Sequence, residues 1–100
     1  MPQLTVQVPH QLPVDEAAVR LQSFLEKMRA DNADRISDVR GEWAGNELRF
    51  AFTAVALKIQ GTLQVLADEV RVVANLPFAA LLFRGQIEET MRSELEKLLR

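Results

Sequence analysis

The hydrophobic positions of this chain repeat with two different periods, and each period predicts a different kind of element. Near the N-terminus, Leu4, Val6 and Val8 alternate with polar residues, which is the pattern of a half-buried strand. The same alternation runs through residues 37–76 in four further segments. Their apolar positions are Val39 and Trp43, then Leu48, Phe50 and Phe52, then Leu57, Ile59, Gly61, Leu63 and Val65, and finally Val70, Val72, Ala74 and Leu76. One apolar face per strand predicts an antiparallel sheet that is solvated on its other side.

Two other segments repeat their apolar residues every three or four positions, as amphipathic helices do. The first follows Pro13 and ends in the polar stretch 30–34, with an apolar stripe of Val14, Ala17, Leu21, Phe24 and Met28. The second follows Gly85, with a stripe of Ile87, Met91, Leu95, Leu98 and Leu99. The predicted order is β-α-β-β-β-β-α in a single domain over residues 1–100. This is a two-layer α+β fold with both helices on the apolar face of the sheet.

The register of the predicted sheet follows from three two-residue turns, at residues 45–46, 55–56 and 67–68. These turns keep all apolar positions on the inner face. The resulting pairs are Trp43 with Leu48, Gly41 with Phe50, Val39 with Phe52, Phe50 with Gly61, Leu63 with Val72, and Gly61 with Ala74. The first strand is predicted to pair with the last, because both would otherwise be edges.

Composition and charge limit the classes of function. Of the 100 residues, 48% are hydrophobic and 26% are charged, as in an ordinary globular domain. A net charge of −2 gives no electrostatic reason to expect a nucleic-acid partner. There is no cysteine, which excludes disulfides and thiolate metal sites. The N-terminus lacks the pattern of a signal peptide, and the apolar run 78–83 is far shorter than the roughly 18 residues that span a bilayer. We therefore expect a cytoplasmic protein with no nucleic-acid partner and no integral membrane segment.

The residues that most often carry chemistry are few and scattered. His10 is the single histidine; it is either a lone general base or a polar residue in a proline-flanked turn, and the turn is the plainer interpretation. Ser23, Ser37 and Ser93 do not lie in the glycine-bounded motif of a nucleophilic serine. The 14 acidic residues form neither a calcium loop nor a zinc-protease motif. The sequence therefore predicts no catalytic residue, no metal site and no cofactor.

The apolar face of the predicted sheet is the more informative region. One row across four strands consists of Gly41, Phe50, Gly61 and Ala74, and three of these four residues are small. Because protein interiors are filled densely, either a helix approaches closely at this row or a cavity remains. Such a cavity would be lined by Trp43, Phe50, Phe52 and Leu63, and would suit an elongated apolar ligand. Close helix packing is the plainer interpretation.

The apolar run 78–83 between the last strand and the last helix is a second candidate. Leu81, Leu82 and Phe83 would either contact an apolar surface of a partner, or cap the open end of the core. The cap is the simpler of the two interpretations.

Several stretches of the sequence resemble one known family. They are Leu-Thr-Val-Gln-Val-Pro-His (residues 4–10), the helix start at Glu16-Ala17, Lys-Ile-Gln-Gly-Thr-Leu (58–63), and Leu-Pro-Phe-Ala-Ala-Leu (76–81) followed by Phe83, Gly85 and Ile87-Glu88. Together these motifs resemble the polyhydroxyalkanoic acid system family, small bacterial proteins whose genes lie near polyhydroxyalkanoate synthesis or granule genes. The resemblance spans essentially the whole chain. It implies an association with storage-polyester metabolism and identifies no catalytic or binding residue.

The element order also resembles a minimal helix-grip fold, in which a curved sheet wraps a C-terminal helix and often leaves an apolar cavity. Topology alone does not establish function. Three hypotheses follow: a non-enzymatic accessory protein that binds a polyester granule, an acyl ligand or granule proteins; a homo-oligomeric interaction module, such as a homodimer formed through free sheet edges; and a small helix-grip hydrolase. The first is favoured, and the scarcity of catalytic residue types makes the third least favoured.

Overall fold

Residues 2–100 are described by a computed structural model of the chain, and they form five strands, three α-helices and one 3₁₀ helix. In chain order these are β1 (Gln3–Pro9), α1 (Val14–Leu21), α2 (Phe24–Asp31), β2 (Ile36–Ala44), β3 (Glu47–Ala54), β4 (Leu57–Val65), β5 (Glu69–Asn75), the 3₁₀ helix (Phe78–Phe83) and α3 (Arg84–Leu99). The strands form one antiparallel sheet in the order β1-β5-β4-β3-β2. The helices cover one face of this sheet. This confirms the predicted α+β fold and the pairing of the first strand with the last.

The side chains of the strands point in the directions that the alternation of the sequence predicts. Phe50, Ile59 and Val72 are buried beneath the helices, whereas Arg49 and Lys58 are exposed on the opposite face. A slip of one residue would have reversed every one of these side chains. The predicted pairs Trp43–Leu48, Gly41–Phe50, Phe50–Gly61, Leu63–Val72 and Gly61–Ala74 are all present.

One predicted pair is wrong, because β2 contains a bulge. Ser37 pairs with Thr53 and Arg40 pairs with Ala51, so one extra residue lies between them on β2 and Val39 does not face Phe52 in a regular ladder. Asp38, within the bulge, has a left-handed φ of 52°, which aspartate tolerates better than most residues. The bulge ends the regular part of β2 at Arg40.

The first predicted helix is also interrupted. A turn at Gln22 and Ser23 divides it into α1 and α2. The Gln22 N–H bonds to the carbonyl of Val19 three residues back, and the Ser23 hydroxyl donates to the carbonyl of Arg20. Serine that bonds to the preceding turn in this way bends helices. The apolar stripe continues across the bend, since Leu21 and Phe24 are both fully buried.

The turn between β3 and β4 has the predicted two-residue length, despite an unfavourable sequence. Ala54 pairs with Leu57, and both turn residues, Val55 and Ala56, have left-handed φ values of 51° and 65°. A left-handed φ costs about 1–2 kcal/mol for each residue that is not glycine. The turn therefore exists because the buried ladder on either side imposes the register, and the local sequence does not favour it.

The row of small residues is filled by side chains. A Cβ at residue 41 would lie 2.2 Å from Cδ1 of Leu25, so a side chain of α2 packs directly over Gly41. A Cβ at residue 61 would lie 2.9 Å from Cζ of Phe50, whose ring covers that glycine from the neighbouring strand. The small residues thus accommodate one leucine and one phenylalanine of the same core.

Candidate functional site

The 3₁₀ helix presents apolar side chains to solvent. Phe78 is 76% exposed, Leu82 is 89% exposed and Leu81 is 40% exposed; we call these three residues the apolar surface. In contrast, Ala80 is fully buried and Phe83 is half-buried. Exposed large apolar side chains that lie together on one segment mark an interaction site more often than single ones do.

The helical geometry explains which residues face outward. Pro77 ends the sheet region, and the Ala80 N–H bonds to the Pro77 carbonyl at 2.9 Å to start the first turn. With three residues per turn, Ala80 and Phe83 lie on one side of the segment and both face the core. Phe78 and Leu81 lie on a second side, and Leu82 lies on the third.

The residues that the sequence analysis named in this run lie in different surroundings. Phe83 is half-buried and lines a small cavity, whereas Leu82 is one of the most exposed large apolar residues among 2–100. Phe78, which the sequence analysis did not single out, belongs to the apolar surface together with Leu81 and Leu82. A spacing of three residues from Phe78 to Leu81 after a proline was the signal that could have identified it.

A small apolar cavity lies behind the 3₁₀ helix, between α2, α3 and the β3–β4 turn. Its lining includes Phe52, Val55, Phe83, Ile87 and Met91, and its volume is about 40 Å³. A water molecule occupies about 30 Å³ of liquid, and pockets for small organic ligands measure about 300–1,000 Å³. In this conformation the cavity is far too small for an acyl chain.

The four residues of the predicted pocket lie in different surroundings. Phe52 lines the small cavity, and its ring stacks on that of Phe50 with centroids 5.9 Å apart. Phe50 and Leu63 are buried in the continuous core. Trp43 is half-buried in a groove beside Leu25 and the exposed edge of β2.

His10 is buried and both of its ring nitrogens bond to the backbone. The Leu12 N–H donates to Nδ1 at 3.1 Å, so Nδ1 carries no proton. Nε2 therefore carries the proton and donates to the Leu66 carbonyl at 2.9 Å. The bond to Leu66 joins the segment after β1 to the turn between β4 and β5. The arrangement agrees with the interpretation of His10 as a structural turn residue.

The serines occupy separate positions in the structure. Ser23 bonds to a helix carbonyl as described above, and Ser37 is exposed beside the bulge. Ser93 lines a groove between α2 and α3 with Asp31, Glu94 and Lys97. His10 directly follows β1, and its ring bonds to the backbone of Leu12 and Leu66. Among residues 2–100 no serine forms a hydrogen bond with it.

Glu94 is a buried carboxyl that the sequence analysis did not single out. It is 4% exposed, and Lys97 lies 3.7 Å from it and also 3.7 Å from Asp31 on α2. Burial raises the pKa of Glu94, the neighbouring Asp31 carboxyl raises it further, and Lys97 opposes both effects. The sequence contained a signal for this burial, because Glu94 lies three residues after Met91 and four before Leu98, on the apolar stripe of α3.

We expect Glu94→Gln to be more stable than the natural protein at neutral pH. Because the folded pKa of Glu94 is raised, the folded state binds the proton more tightly than the unfolded state does. The stabilisation that protonated Glu94 contributes is complete below the ordinary glutamate pKa and is lost as pH rises through the raised pKa. Glutamine stays neutral at every pH and removes this loss.

Urea unfolding of both proteins between pH 4 and pH 7 would measure this difference. Glu96→Gln, at an exposed position of the same helix, is the matched control and should change the free energy of unfolding by less than about 0.5 kcal/mol. Parallel pH profiles for Glu94→Gln and the natural protein would contradict the assignment.

Among residues 2–100, no helix is both long enough and apolar enough to cross a membrane. In the same range, no group of three or more His, Cys, Asp and Glu side chains is arranged to hold a metal ion.

Comparison with known proteins identifies the family of the chain. A search of curated proteins finds no significant match. The family model described as "Putative polyhydroxyalkanoic acid system protein (PHA_gran_rgn)" matches residues 4–99. The match covers every strand and helix except the first residue of β1, including the apolar surface and His10. The chain therefore belongs to the polyhydroxyalkanoic acid system family.

Proposed function

We propose that this protein is a non-enzymatic, cytoplasmic accessory protein of polyhydroxyalkanoate metabolism that attaches to the surface of storage-polyester granules through its apolar surface. The family supports the link to polyester metabolism. The observation that carries the proposal is the 3₁₀ helix, which holds Phe78 and Leu82 in solvent while Ala80 anchors the segment in the core.

Energetics favour an apolar solid as the partner. Moving a leucine or phenylalanine side chain from water into apolar surroundings contributes about 1.5–3 kcal/mol. Phe78 and Leu82 are mostly exposed in the single chain, so most of this contribution remains to be gained by binding. A polyester chain offers methylene and methyl groups without strong hydrogen-bond donors, and the three side chains of the apolar surface need none.

The surface supports the proposal better than an internal pocket does. An acyl ligand would have to enlarge the cavity of about 40 Å³ beside Phe52 and Phe83 several-fold. It would displace closely packed side chains of α2 and α3, which costs free energy. Attachment through the apolar surface requires no such rearrangement.

Sedimentation with particles of amorphous poly(3-hydroxybutyrate) tests the proposal. We expect Leu82→Glu and Phe78→Glu each to lower affinity for the particles by about tenfold or more, because each change removes an apolar contact and adds a charge that must be desolvated. The free energy of unfolding should change by less than about 0.5 kcal/mol, since both side chains are exposed.

Val19→Glu is the matched control. Val19 is 71% exposed on α1, so the substitution introduces the same charge at an apolar position outside the apolar surface. We expect it to bind particles as the natural protein does. Failure of the natural protein to sediment with the particles, or an equal loss in all three variants, would reject the proposal.

A further inference from the structure

The two edges of the sheet differ in how they are protected. The β1 edge is partly covered by α3, since Nη1 of Arg92 donates to the carbonyl of Gln7 at 3.1 Å. This strand also carries Pro9, which cannot donate to an added strand. Helix α2 packs on the inner face of β2, with Leu25 over Gly41. Within residues 2–100, however, no side chain hydrogen-bonds to the backbone of residues 39–43, and Arg40, Gly41 and Glu42 are exposed. The open edge is therefore β2.

The hairpin defines which backbone groups of β2 face outward. Ala44 pairs with Glu47 around a two-residue turn, and the pair that closes such a turn is hydrogen-bonded. Bonding to β3 therefore falls on Ala44, Glu42 and Arg40. The N–H and C=O groups of Gly41 and Trp43 point to the free edge, and no turn or loop bond within residues 2–100 satisfies them.

Only a few antiparallel registers let β2 pair with a second copy of itself through these outward groups. A register centred on Glu42 places Glu42 opposite Glu42 of the other copy, and one centred on Arg40 places Arg40 opposite Arg40. Like charges directly opposite each other destabilise a sheet. A register centred on Gly41 places Arg40 opposite Glu42 twice, so each carboxylate faces a guanidinium.

The side chains on the inner face support the same register. Centring on Gly41 places Trp43 opposite Val39 of the other copy, and both side chains are half-buried in the single chain. Neither Arg40 nor Glu42 forms an ion pair within residues 2–100. Pairing would thus satisfy open backbone groups, cover apolar surface and neutralise both charges.

We propose that two copies of this chain form a homodimer by antiparallel pairing of β2 over residues 39–43, centred on Gly41, with reciprocal Arg40–Glu42 ion pairs. The two-fold axis is perpendicular to the sheet, so both helical layers lie on the same side of the joined sheet. The two α2 helices then approach each other beside Trp43. The bulge at Asp38 ends the pairing on one side. Because the ladder is short, the affinity is modest, with a dissociation constant in roughly the micromolar range.

Sedimentation equilibrium of the full chain from about 1 µM to about 1 mM tests the dimer across this affinity range. The expected species change from 11.3 kDa to twice that mass. The single tryptophan of the chain, Trp43, becomes less exposed on pairing, so its emission should shift to shorter wavelength over the same concentrations.

Charge exchange identifies the register. Arg40→Glu and Glu42→Arg should each raise the dissociation constant about tenfold or more, because each places like charges opposite each other twice. The double variant R40E/E42R should restore it to within about threefold. Lys58→Glu, an exposed charge reversal on the interior strand β4, is the control and should leave it unchanged.

Two results would overturn this proposal. One is a natural protein that stays monomeric up to the highest concentration; the other is a dimer that the single charge reversals do not weaken. Leu82→Glu separates this inference from the granule proposal. It should lower affinity for the particles by about tenfold or more while leaving the dimer intact, so either proposal can fail without the other.

Discussion

Gly61→Ala should lower the free energy of unfolding by about 3 kcal/mol or more, the upper part of the range for overpacked cores. A Cβ at this position would lie 2.4 Å from the Val73 carbonyl oxygen and 2.8 Å from Cα of Ala74. Both atoms belong to the backbone of β5, which is hydrogen-bonded on both sides, to β4 and to β1. The backbone cannot move aside without disrupting two ladders.

The other glycines provide a graded comparison. Gly85, in the first turn of α3, has nothing within 4 Å of an added Cβ, so Gly85→Ala should stabilise the protein by about 0.5 kcal/mol or more through helix propensity. Gly41→Ala should fall between the two, because the atom that it meets is the end of the Leu25 side chain. Thermal unfolding would resolve the series, since 1 kcal/mol corresponds to about 4–8 °C in a domain of this size. Equal stability of all three variants would contradict the packing described for Gly61.

His10→Ala should cost about 2–4 kcal/mol. The change removes the acceptor of the Leu12 N–H and the donor to the Leu66 carbonyl. A partly buried group that loses its partner costs about 1–3 kcal/mol, and this substitution leaves two such groups. The loss should be seen in urea denaturation as a lower midpoint with an unchanged slope.

Gln11→Ala is the control for this effect, because Gln11 is exposed and adjacent in sequence. It should change stability by less than about 0.5 kcal/mol. Nitrogen NMR of the imidazole should show the proton on Nε2 and an unprotonated Nδ1 in the folded protein. The opposite tautomer would contradict the hydrogen-bond assignment.

The two proposed contacts use separate parts of the molecule. The apolar surface follows the C-terminal end of β5, whereas the proposed dimer contact uses residues 39–43 of β2, which β4 and β3 separate from β5 in the sheet. A dimer formed through β2 would carry two apolar surfaces, one from each copy. If each apolar surface attaches weakly to a granule, the dimer would bind the granule far more tightly than a monomer does.

Most of the candidate site was visible in the sequence as a run of apolar residues, but its exposure was not. Leu81, Leu82 and Phe83 have similar hydrophobicity, yet Leu82 faces solvent and Phe83 lies beside the core. The difference arises from the 3₁₀ geometry of the segment and from the position of α3 immediately after it. A single-sequence pattern does not contain the direction in which a short connecting helix faces.

By itself, the sequence determined the alternation of residues 4–8 and 37–76, hence the five-stranded antiparallel sheet, the direction of its side chains and nearly all of its register. This is because a period of two allows only one side of each strand to be buried. Only the tertiary structure decided the bulge at Asp38 and the small volume behind Phe83. Each of these depends on how two distant segments pack against each other, and local periodicity carries no information about that packing.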